Sequence, residues 1–264
     1  MPLMPDSQAL ESDSFANLLP QIRLIATDMD GTLTSEERFT PRLVQMLEQL
    51  AQREIPVIIV TGRSAGWVSA VVHYLPVVGA IAENGGLFFK GAQAAPVPLV
   101  PINDFAIHRQ RLADFFRQLQ KSLPQIHEST DNRYRLTDWT FDVAGLSQGQ
   151  LDGLQATCDT AGWGFTYSTV QCHIKLQSQE KSAGLQQVMQ QYFSTLAPDQ
   201  VVTVGDSPND ESLFNAAKFP ISVGVANITR YLDRFQHRPA YLTQATEVDG
   251  FCELAQRILE QNDG

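Results

Sequence analysis

Two aspartates one residue apart, Asp28 and Asp30, stand at the end of an apolar run and are followed by Gly31. The run from Ile22 to Ala26 has the composition of a buried strand in a parallel sheet. Side chains at i and i+2 share a face, so the two carboxylates can converge on one site. Neighbouring carboxylates repel unless a cation or a proton lies between them. The pair therefore predicts either a shared hard cation such as Mg2+ or an ordinary Asp–Gly turn.

Three other stretches follow predicted strands or begin predicted helices, where a parallel sheet collects ligand groups. Residues 61–63 read Thr-Gly-Arg and offer a hydroxyl, an unhindered N–H and a guanidinium to phosphate oxygens. Lys181 supplies a point charge near a helix start, and residues 205–210, Gly-Asp-Ser-Pro-Asn-Asp, add hard oxygen ligands. Each stretch alone is also explained as a turn or a solvated side chain, but the set in this order is far more specific.

Composition limits the function further. The chain has 264 residues, 43% of them hydrophobic, which is enough for a large core. Its net charge of −10 argues against nucleic-acid or polybasic membrane partners, so an anionic substrate would need a locally positive pocket. Three cysteines without Cys-x-x-Cys spacing favour reduced thiols and a cytoplasmic location. No apolar run is long enough to cross a membrane, and no signal peptide is visible.

Apolar periodicity predicts an α/β fold, a doubly wound parallel sheet with an inserted α+β domain. Residues 1–20 are interpreted as a flexible leader, residues 21–90 and 177–264 as the core, and residues 91–176 as the insertion. Within the insertion, helix–strand–strand occurs twice, with strands predicted at residues 133–137, 139–143, 164–168 and 170–176. A further helix is predicted to follow residues 205–210 and to reach about Ala217, and the last helix to cover residues 249–260.

These motifs resemble those of the haloacid dehalogenase superfamily of phosphatases. The resemblance lies in residues 28–33 (Asp-Met-Asp-Gly-Thr-Leu), 61–63, 83–86 (Glu-Asn-Gly-Gly) and 205–210, and covers the chain from about Gln21 onward. The chain is most similar to the Cof-like subclass, whose cap lies between the second and third motifs and which includes mannosyl-3-phosphoglycerate, sucrose-phosphate and archaeal-type phosphoglycolate phosphatases. At the third motif Lys-Ser-Ala-Gly replaces the more usual Lys-Gly, so Lys175 is an alternative to Lys181.

The resemblance implies a Mg2+-dependent phosphatase that hydrolyses a small phosphate ester, of the sugar-phosphate, phosphoglycerate or phosphoglycolate type, through an aspartyl-phosphate. Asp28 would be the nucleophile and Asp30 the general acid and base. The other implied roles are phosphate binding by Thr61, Gly62, Arg63 and Lys181, metal binding by Asp28, the Asp30 carbonyl and Asp206, and support of the metal site by Asn209 and Asp210.

The insertion is expected to close over the site and to contact the leaving group. Asn84, Arg133 and Arg135 are candidate substrate contacts, and the two arginines are predicted to share a strand face by their i, i+2 spacing. If that face meets the site, a second anionic group on the substrate fits. Asp138, Trp139 and His173 are further cap residues of interest. Two alternatives remain: a phosphotransferase or mutase of the phosphomannomutase type, and a non-catalytic binding protein on the same fold.

Overall fold

A computed structural model describes residues 7–91 and 95–261. Within them, nine strands form one sheet in the order β1-β12-β11-β10-β2-β3-β4-β5-β6, and three form a second sheet in the order β7-β9-β8. The strands are β1 Gln8–Ala9, β2 Leu24–Thr27, β3 Val57–Val60, β4 Gly79–Ala82, β5 Leu87–Phe89, β6 Val97–Pro98, β7 Trp139–Asp142, β8 Trp163–Tyr167, β9 Gln171–Leu176, β10 Val201–Gly205, β11 Ile221–Gly224 and β12 Tyr241–Leu242. The α-helices are α1 Asp13–Ala16, α2 Pro41–Gln52, α3 Ala65–Tyr74, α4 Phe105–Ser122, α5 Gln148–Thr160, α6 Lys181–Tyr192 and α7 Glu247–Gln261.

In the large sheet, the strands from β1 to β4 in spatial order are parallel, and β2 lies among them with strands added on both of its sides. The chain reaches β3 and β4 on one side, and β10, β11 and β12 on the other. The strand order thus reverses between β2 and β10, and the crevice outside the carboxyl ends of two such strands is where α/β sheets bind ligands. Asp28 directly follows β2, and Asp206 directly follows β10.

Both faces of this sheet are covered, as the near-continuous apolar strands require. One face packs against α2, α3 and α7 through residues such as Leu47, Val68 and Phe251, and the other against α6 through Leu185 and Val188. Pro41 occupies the first position of α2, and the Thr40 hydroxyl accepts a hydrogen bond from the Leu43 N–H at 3.2 Å, as the sequence indicates. The predicted fold class, a doubly wound sheet with an α+β insertion, is confirmed.

The prediction of a flexible leader is wrong for residues 7–20; residues 1–6 lie outside the described part of the chain. Strand β1 pairs in parallel with β12 at the edge of the large sheet. Leu10 and Phe15 are fully buried in the core, where the Phe15 ring meets the Tyr241 ring edge-on at 4.9 Å. A two-residue strand is too short to show an alternating pattern, so its sequence gave no strand signal.

The inserted cap is built from α4, α5 and the sheet β7-β9-β8, packed around Phe116, Phe141 and Ile174. Its predicted start at residue 91 is too early, because β6 still pairs with β5 in the large sheet. The strand predicted at residues 133–137 is also wrong. A 3-10 helix, Thr130–Tyr134, stands there instead and is followed by extended backbone at Arg135. The remaining cap strands lie close to their predicted positions.

The cap is tied to the core by the turn at residues 83–86. The Glu83 carboxylate is fully buried and accepts hydrogen bonds from both sides of the boundary: from the Ala65 N–H at the start of α3 and, in the cap, from the Leu136 and Thr137 N–H groups and the Thr137 hydroxyl. Burial raises the pKa of Glu83, and the hydrogen bonds from Thr137 oppose that shift.

No helix within residues 7–91 and 95–261 combines the length and apolar character that a membrane crossing requires.

Candidate active site

The carboxylates predicted from three separate motifs lie together in the crevice between β2 and β10. Asp28, Asp206 and Asp210 are buried, and an oxygen from each lies within 4.8 Å of the others. The loop after β2 turns at Gly31, whose φ of +79° places it in the left-handed region. A Cβ at Gly31 would stand 2.5 Å from an Asp206 oxygen, so glycine allows the two loops to approach.

Lys181, the first residue of α6, neutralises part of this charge. Its ammonium is fully buried and donates to Asp28 Oδ1 at 2.5 Å and to Asp210 Oδ1 at 2.6 Å. Burial alone would lower the pKa of Lys181, but the charges of Asp210 and Asp28 raise it above its ordinary value. The alternative, Lys175, is also buried but donates to the Gln179 carbonyl at 2.5 Å. The structure therefore places Lys181 against Asp28.

Asp28 itself carries a strongly perturbed pKa. Burial, followed by the negative charge of Asp210, raises it to about 7, and Lys181 acts in the opposite direction. Burial and the charge of Asp28 raise the pKa of Asp206 well above its ordinary value. Three buried carboxylates against one ammonium leave the cluster short of positive charge, which is the environment that a divalent cation stabilises.

The oxygen atoms of the cluster show where a cation would bind. Both oxygens of Asp210 are occupied: Oδ1 by Lys181, and Oδ2 by the N–H groups of Asp206 and Ser207 at 2.9 and 3.1 Å. Asp206 Oδ1, by contrast, is buried and has no hydrogen-bond partner among the residues that the structure describes. Asp28 and Asp206 therefore fit a hard cation such as Mg2+, and Asp210 orients the loop and Lys181.

The predicted phosphate-binding residues lie beside Asp28. Asp28, Asp30, Thr61, Gly62 and Arg63 line one cavity of about 20 Å3, together with Asn209 and His173. The Arg63 guanidinium donates two hydrogen bonds to the Asp30 carboxylate, at 2.8 and 2.6 Å, and these hydrogen bonds raise the pKa of Arg63. In this arrangement Arg63 holds the Asp30 carboxylate in place in addition to facing the cavity.

Asn84 and Asn209 link the turn at residues 83–86 to the loop after β10. The Asn209 amide donates to Asn84 Oδ1 at 3.1 Å, and the Ser207 hydroxyl donates to Asn209 Oδ1 at 2.7 Å. Asn84 Nδ2 is buried without a partner in the described chain, so it is a donor that a ligand oxygen can satisfy. A second, larger cavity of about 680 Å3 lies between α5 and residues 208–218 and shares Asn84, Lys181 and Asn209 with the site.

The two cap arginines do not share a face, because residues 130–134 are helical. Arg133 is exposed, with its guanidinium 5.2 Å from the Tyr134 ring centroid. Arg135 is buried and donates to the Gly62 carbonyl at 2.9 Å, to both Asp138 oxygens, and to Asp131 at 2.9 Å. Trp139 packs with the cap core, and the Arg109 guanidinium lies 4.3 Å from its ring centroid. Arg135 therefore contacts the site through the backbone carbonyl of Gly62, and Arg133 lies away from the site.

Asn227 is a site residue that the sequence did not reveal. It lies in the 3-10 helix Ala226–Arg234, and its amide donates to the Gly31 carbonyl at 3.0 Å and to Asp206 Oδ2 at 2.8 Å. Its own oxygen accepts from the Glu247 N–H at 2.9 Å, at the start of α7. Asn227 thus fixes one Asp206 oxygen and leaves the other for a ligand. A lone asparagine after a strand carries no signal of such a role.

Comparisons with known proteins agree with this fold. A family model described as haloacid dehalogenase-like hydrolase matches residues 25–97. The phosphoglycolate phosphatase of Methanothrix thermoacetophila is 29% identical over 238 residues, which cover 88% of this chain and 95% of that protein. The crystal structure of Thermoplasma acidophilum 0175 superposes with a TM-score of 0.73 at 18% identity, covering 90% of this chain and 98% of its own.

A second similar structure is the sucrose-phosphatase of Synechocystis sp. PCC6803, solved with sucrose and phosphate. It superposes with a TM-score of 0.68 at 16% identity, covering 90% of this chain and 98% of that chain. The family model, these matches and the arrangement of the candidate site all support a haloacid dehalogenase-like hydrolase. Its α+β cap is inserted between the Thr-Gly-Arg loop and Lys181, the position that the resemblance to the Cof-like subclass implies.

Proposed function

We propose that the chain is a phosphatase that hydrolyses a small phosphorylated metabolite through an aspartyl-phosphate on Asp28, with Mg2+ as cofactor. The observation that carries the proposal is the buried cluster in which Lys181 bridges Asp28 and Asp210 while Asp206 Oδ1 lacks a partner. Its relatives support the substrate class, since they include phosphatases named for phosphoglycolate and for sucrose phosphate. The buried, unpaired thiols of its three cysteines suit a cytoplasmic location.

Asp28 is the proposed nucleophile because it lines the cavity and has one oxygen held by Lys181. The ammonium orients the carboxylate and partly offsets the repulsion between it and an incoming phosphate. Thr61, buried at the same cavity, and the partnerless Asn84 amide are the groups that would receive phosphoryl oxygens. Most of the rate enhancement then comes from positioning and electrostatics, as in phosphoryl transfer generally.

Asp30 is the proposed general acid for the leaving oxygen and then the base for the hydrolytic water. Its carboxylate lies two residues from Asp28 in the same cavity, but both its oxygens are held by Arg63. While both oxygens accept hydrogen bonds from Arg63, neither is free to meet a leaving oxygen. Proton donation by Asp30 therefore requires Arg63 to release it, which a substrate phosphate accomplishes by taking the guanidinium as its own partner.

The metal would be held by Asp28 and Asp206, with the Asp30 carbonyl as a third oxygen, while Asn209 and Asp210 support this set. When bound, Mg2+ supplies charge neutralisation at the phosphoryl oxygens. The residues fit it because an unpartnered buried carboxylate oxygen faces a cluster with excess negative charge.

Phosphate release from a panel of sugar phosphates, phosphoglycolate and phosphoglycerate esters, with Mg2+ and with EDTA, tests the proposal. We expect Mg2+-dependent release that Asp28→Asn abolishes, with a loss of at least ~10^3-fold, because the amide cannot attack phosphorus. Asp199→Asn, at an exposed position far from the cluster, is the matched control and should retain full activity. Unchanged activity in Asp28→Asn would refute the mechanism, and a sugar-phosphate isomer in place of free phosphate would indicate a mutase.

A further inference from the structure

His173 lies on β9, the central strand of the cap sheet, with its ring buried at the boundary between cap and core. Its Nδ1 is 2.8 Å from Asp138 Oδ2. The same carboxylate accepts two hydrogen bonds from Arg135, at 3.0 and 3.1 Å, and Arg135 also donates to the Gly62 carbonyl at 2.9 Å. Hydrogen bonds through Asp138 and Arg135 therefore fix the position of the ring relative to the Thr-Gly-Arg loop.

The Asp138 contact fixes which nitrogen of the ring carries the proton. Burial alone would raise the pKa of Asp138, but Arg135 and His173 together lower it below its ordinary value, so Asp138 is a carboxylate. A carboxylate accepts, and Nδ1 must be the donor. Since Arg135 already offsets the charge of Asp138, the contact does not require a second proton on the ring. Nε2 is then an acceptor with a free lone pair.

This Nε2 atom faces the catalytic cavity. His173 lines it together with Asp28, Asp30 and Gly62, and a Cβ at Gly62 would lie 3.2 Å from Nε2 and 3.0 Å from Cε1. The ring thus stands directly over the Gly62 backbone. No residue within 7–91 or 95–261 donates a hydrogen bond to Nε2. The His173 side chain, only 1% exposed, thus presents to the cavity an acceptor that no described residue satisfies, and the substrate is the group that enters there.

We propose that His173 is a specificity-determining residue whose Nε2 accepts a hydrogen bond from a hydroxyl group on the leaving alcohol. The preferred substrates are then phosphate esters of small polyhydroxy compounds. This inference rests on the proposed phosphatase function and adds the chemistry of its leaving group. A carboxylate on the leaving group has no proton to give to the lone pair, and it would enter a cavity that already holds the carboxylates of Asp28 and Asp30.

Three two-carbon esters separate the possibilities, because they differ at one position: ethyl phosphate, 2-hydroxyethyl phosphate and phosphoglycolate. We expect kcat/KM of the Mg2+-loaded enzyme to favour 2-hydroxyethyl phosphate over ethyl phosphate by about 10- to 100-fold, since a site built for a hydroxyl rejects the analogue that lacks it. In His173→Phe this ratio should fall to about one. His173→Gln, whose side-chain carbonyl is still an acceptor, should keep part of it, and His127→Phe, at an exposed cap position, should keep all of it.

The ratio also separates this role from a structural one. An equal loss on all three esters in His173→Phe, or a ratio equal to that of the wild type, overturns the assignment. So does a wild-type preference for phosphoglycolate that disappears in His173→Phe, because it would show a protonated ring that binds a carboxylate. The proposed function is tested separately with p-nitrophenyl phosphate. If the wild type releases phosphate from neither this ester nor the three others, the phosphatase proposal fails and this one with it.

Discussion

The substitution Glu83→Gln tests the contact that ties the cap to the core. The two carboxylate oxygens face donors only: Oε1 accepts from Ala65 and Leu136, and Oε2 from the Leu136 N–H, the Thr137 N–H and the Thr137 hydroxyl. An amide replaces one of these oxygens by an NH2 group, which is itself a donor. In either orientation of the amide, at least one buried N–H, of Ala65 or of Thr137, faces a donor instead of an acceptor.

The magnitude follows from these contacts. A buried backbone N–H left without an acceptor costs about 1–3 kcal/mol, and a charge-assisted hydrogen bond is about twice as strong as a neutral one. With one such N–H orphaned and the other hydrogen bonds weakened, the free energy of unfolding should fall by about 3 kcal/mol. For a chain of this size that corresponds to a decrease in Tm of roughly 6–12 °C.

Urea unfolding followed by circular dichroism measures the loss, with Glu48→Gln as the control. Glu48 is an exposed residue of α2, so its neutralisation should change the free energy of unfolding by less than about 0.5 kcal/mol. A Glu83→Gln protein as stable as the control would refute the reasoning, because it would mean that Glu83 is not the acceptor of these five hydrogen bonds.

Three other predictions concern the metal, a backbone contact and the N-terminus. Because burial raises the pKa of Asp28 to about 7, protons compete with Mg2+ below that pH, and calorimetry should give a Kd about tenfold weaker at pH 6 than at pH 8; equal affinities would contradict this. Gly85→Ala should lower Tm far more than Gly162→Ala: both glycines have positive φ, but only at Gly85 would the new Cβ meet the Glu180 carbonyl, at 2.2 Å, whereas Gly162 has no neighbour within 4 Å. Deleting residues 1–20 should lower the free energy of unfolding by at least ~5 kcal/mol in urea, since Leu10 and Phe15 leave the core; a truncated protein of unchanged stability would show that they contribute nothing.

The core of the fold was predictable because its interior strands are apolar throughout. Leu24–Thr27 and Val57–Val60 are buried on both faces, so composition and the polar residues that follow were enough to locate them. The segment at residues 133–137 misled the prediction for a physical reason. Alternating arginines resemble a half-buried strand, whereas the buried guanidinium of Arg135 and its ion pairs with Asp131 and Asp138 favour a helical turn. These ion pairs join residues three and four apart, and a prediction from the alternation of side chains does not register them.

The residue types of the candidate site could be read from the sequence, whereas the hydrogen bonds that connect them could not. The aspartates and Lys181 lie at strand ends and helix starts, and the topology alone brings them together. The pairing of Arg63 with Asp30 and the bridge made by Asn227 depend on the distance between loops, which spacing along the chain does not encode. Glu83 lies in a stretch that the motif analysis noted, but its five hydrogen bonds join three segments that only the folded chain brings together. The predicted helix to Ala217 is a shorter 3-10 helix, Pro208–Phe214, whose start carries Asn209 and Asp210.

The two edges of the large sheet bear on how copies of this protein behave at high concentration. An exposed edge strand is a template for pairing with another chain, and a long one invites aggregation. Here the outermost strands, β1 and β6, are each only two residues long, and β6 contains Pro98, which has no N–H to offer. The long apolar strands between them have no free edge, and the N-terminal segment therefore protects the sheet against edge-to-edge association as well as completing its core.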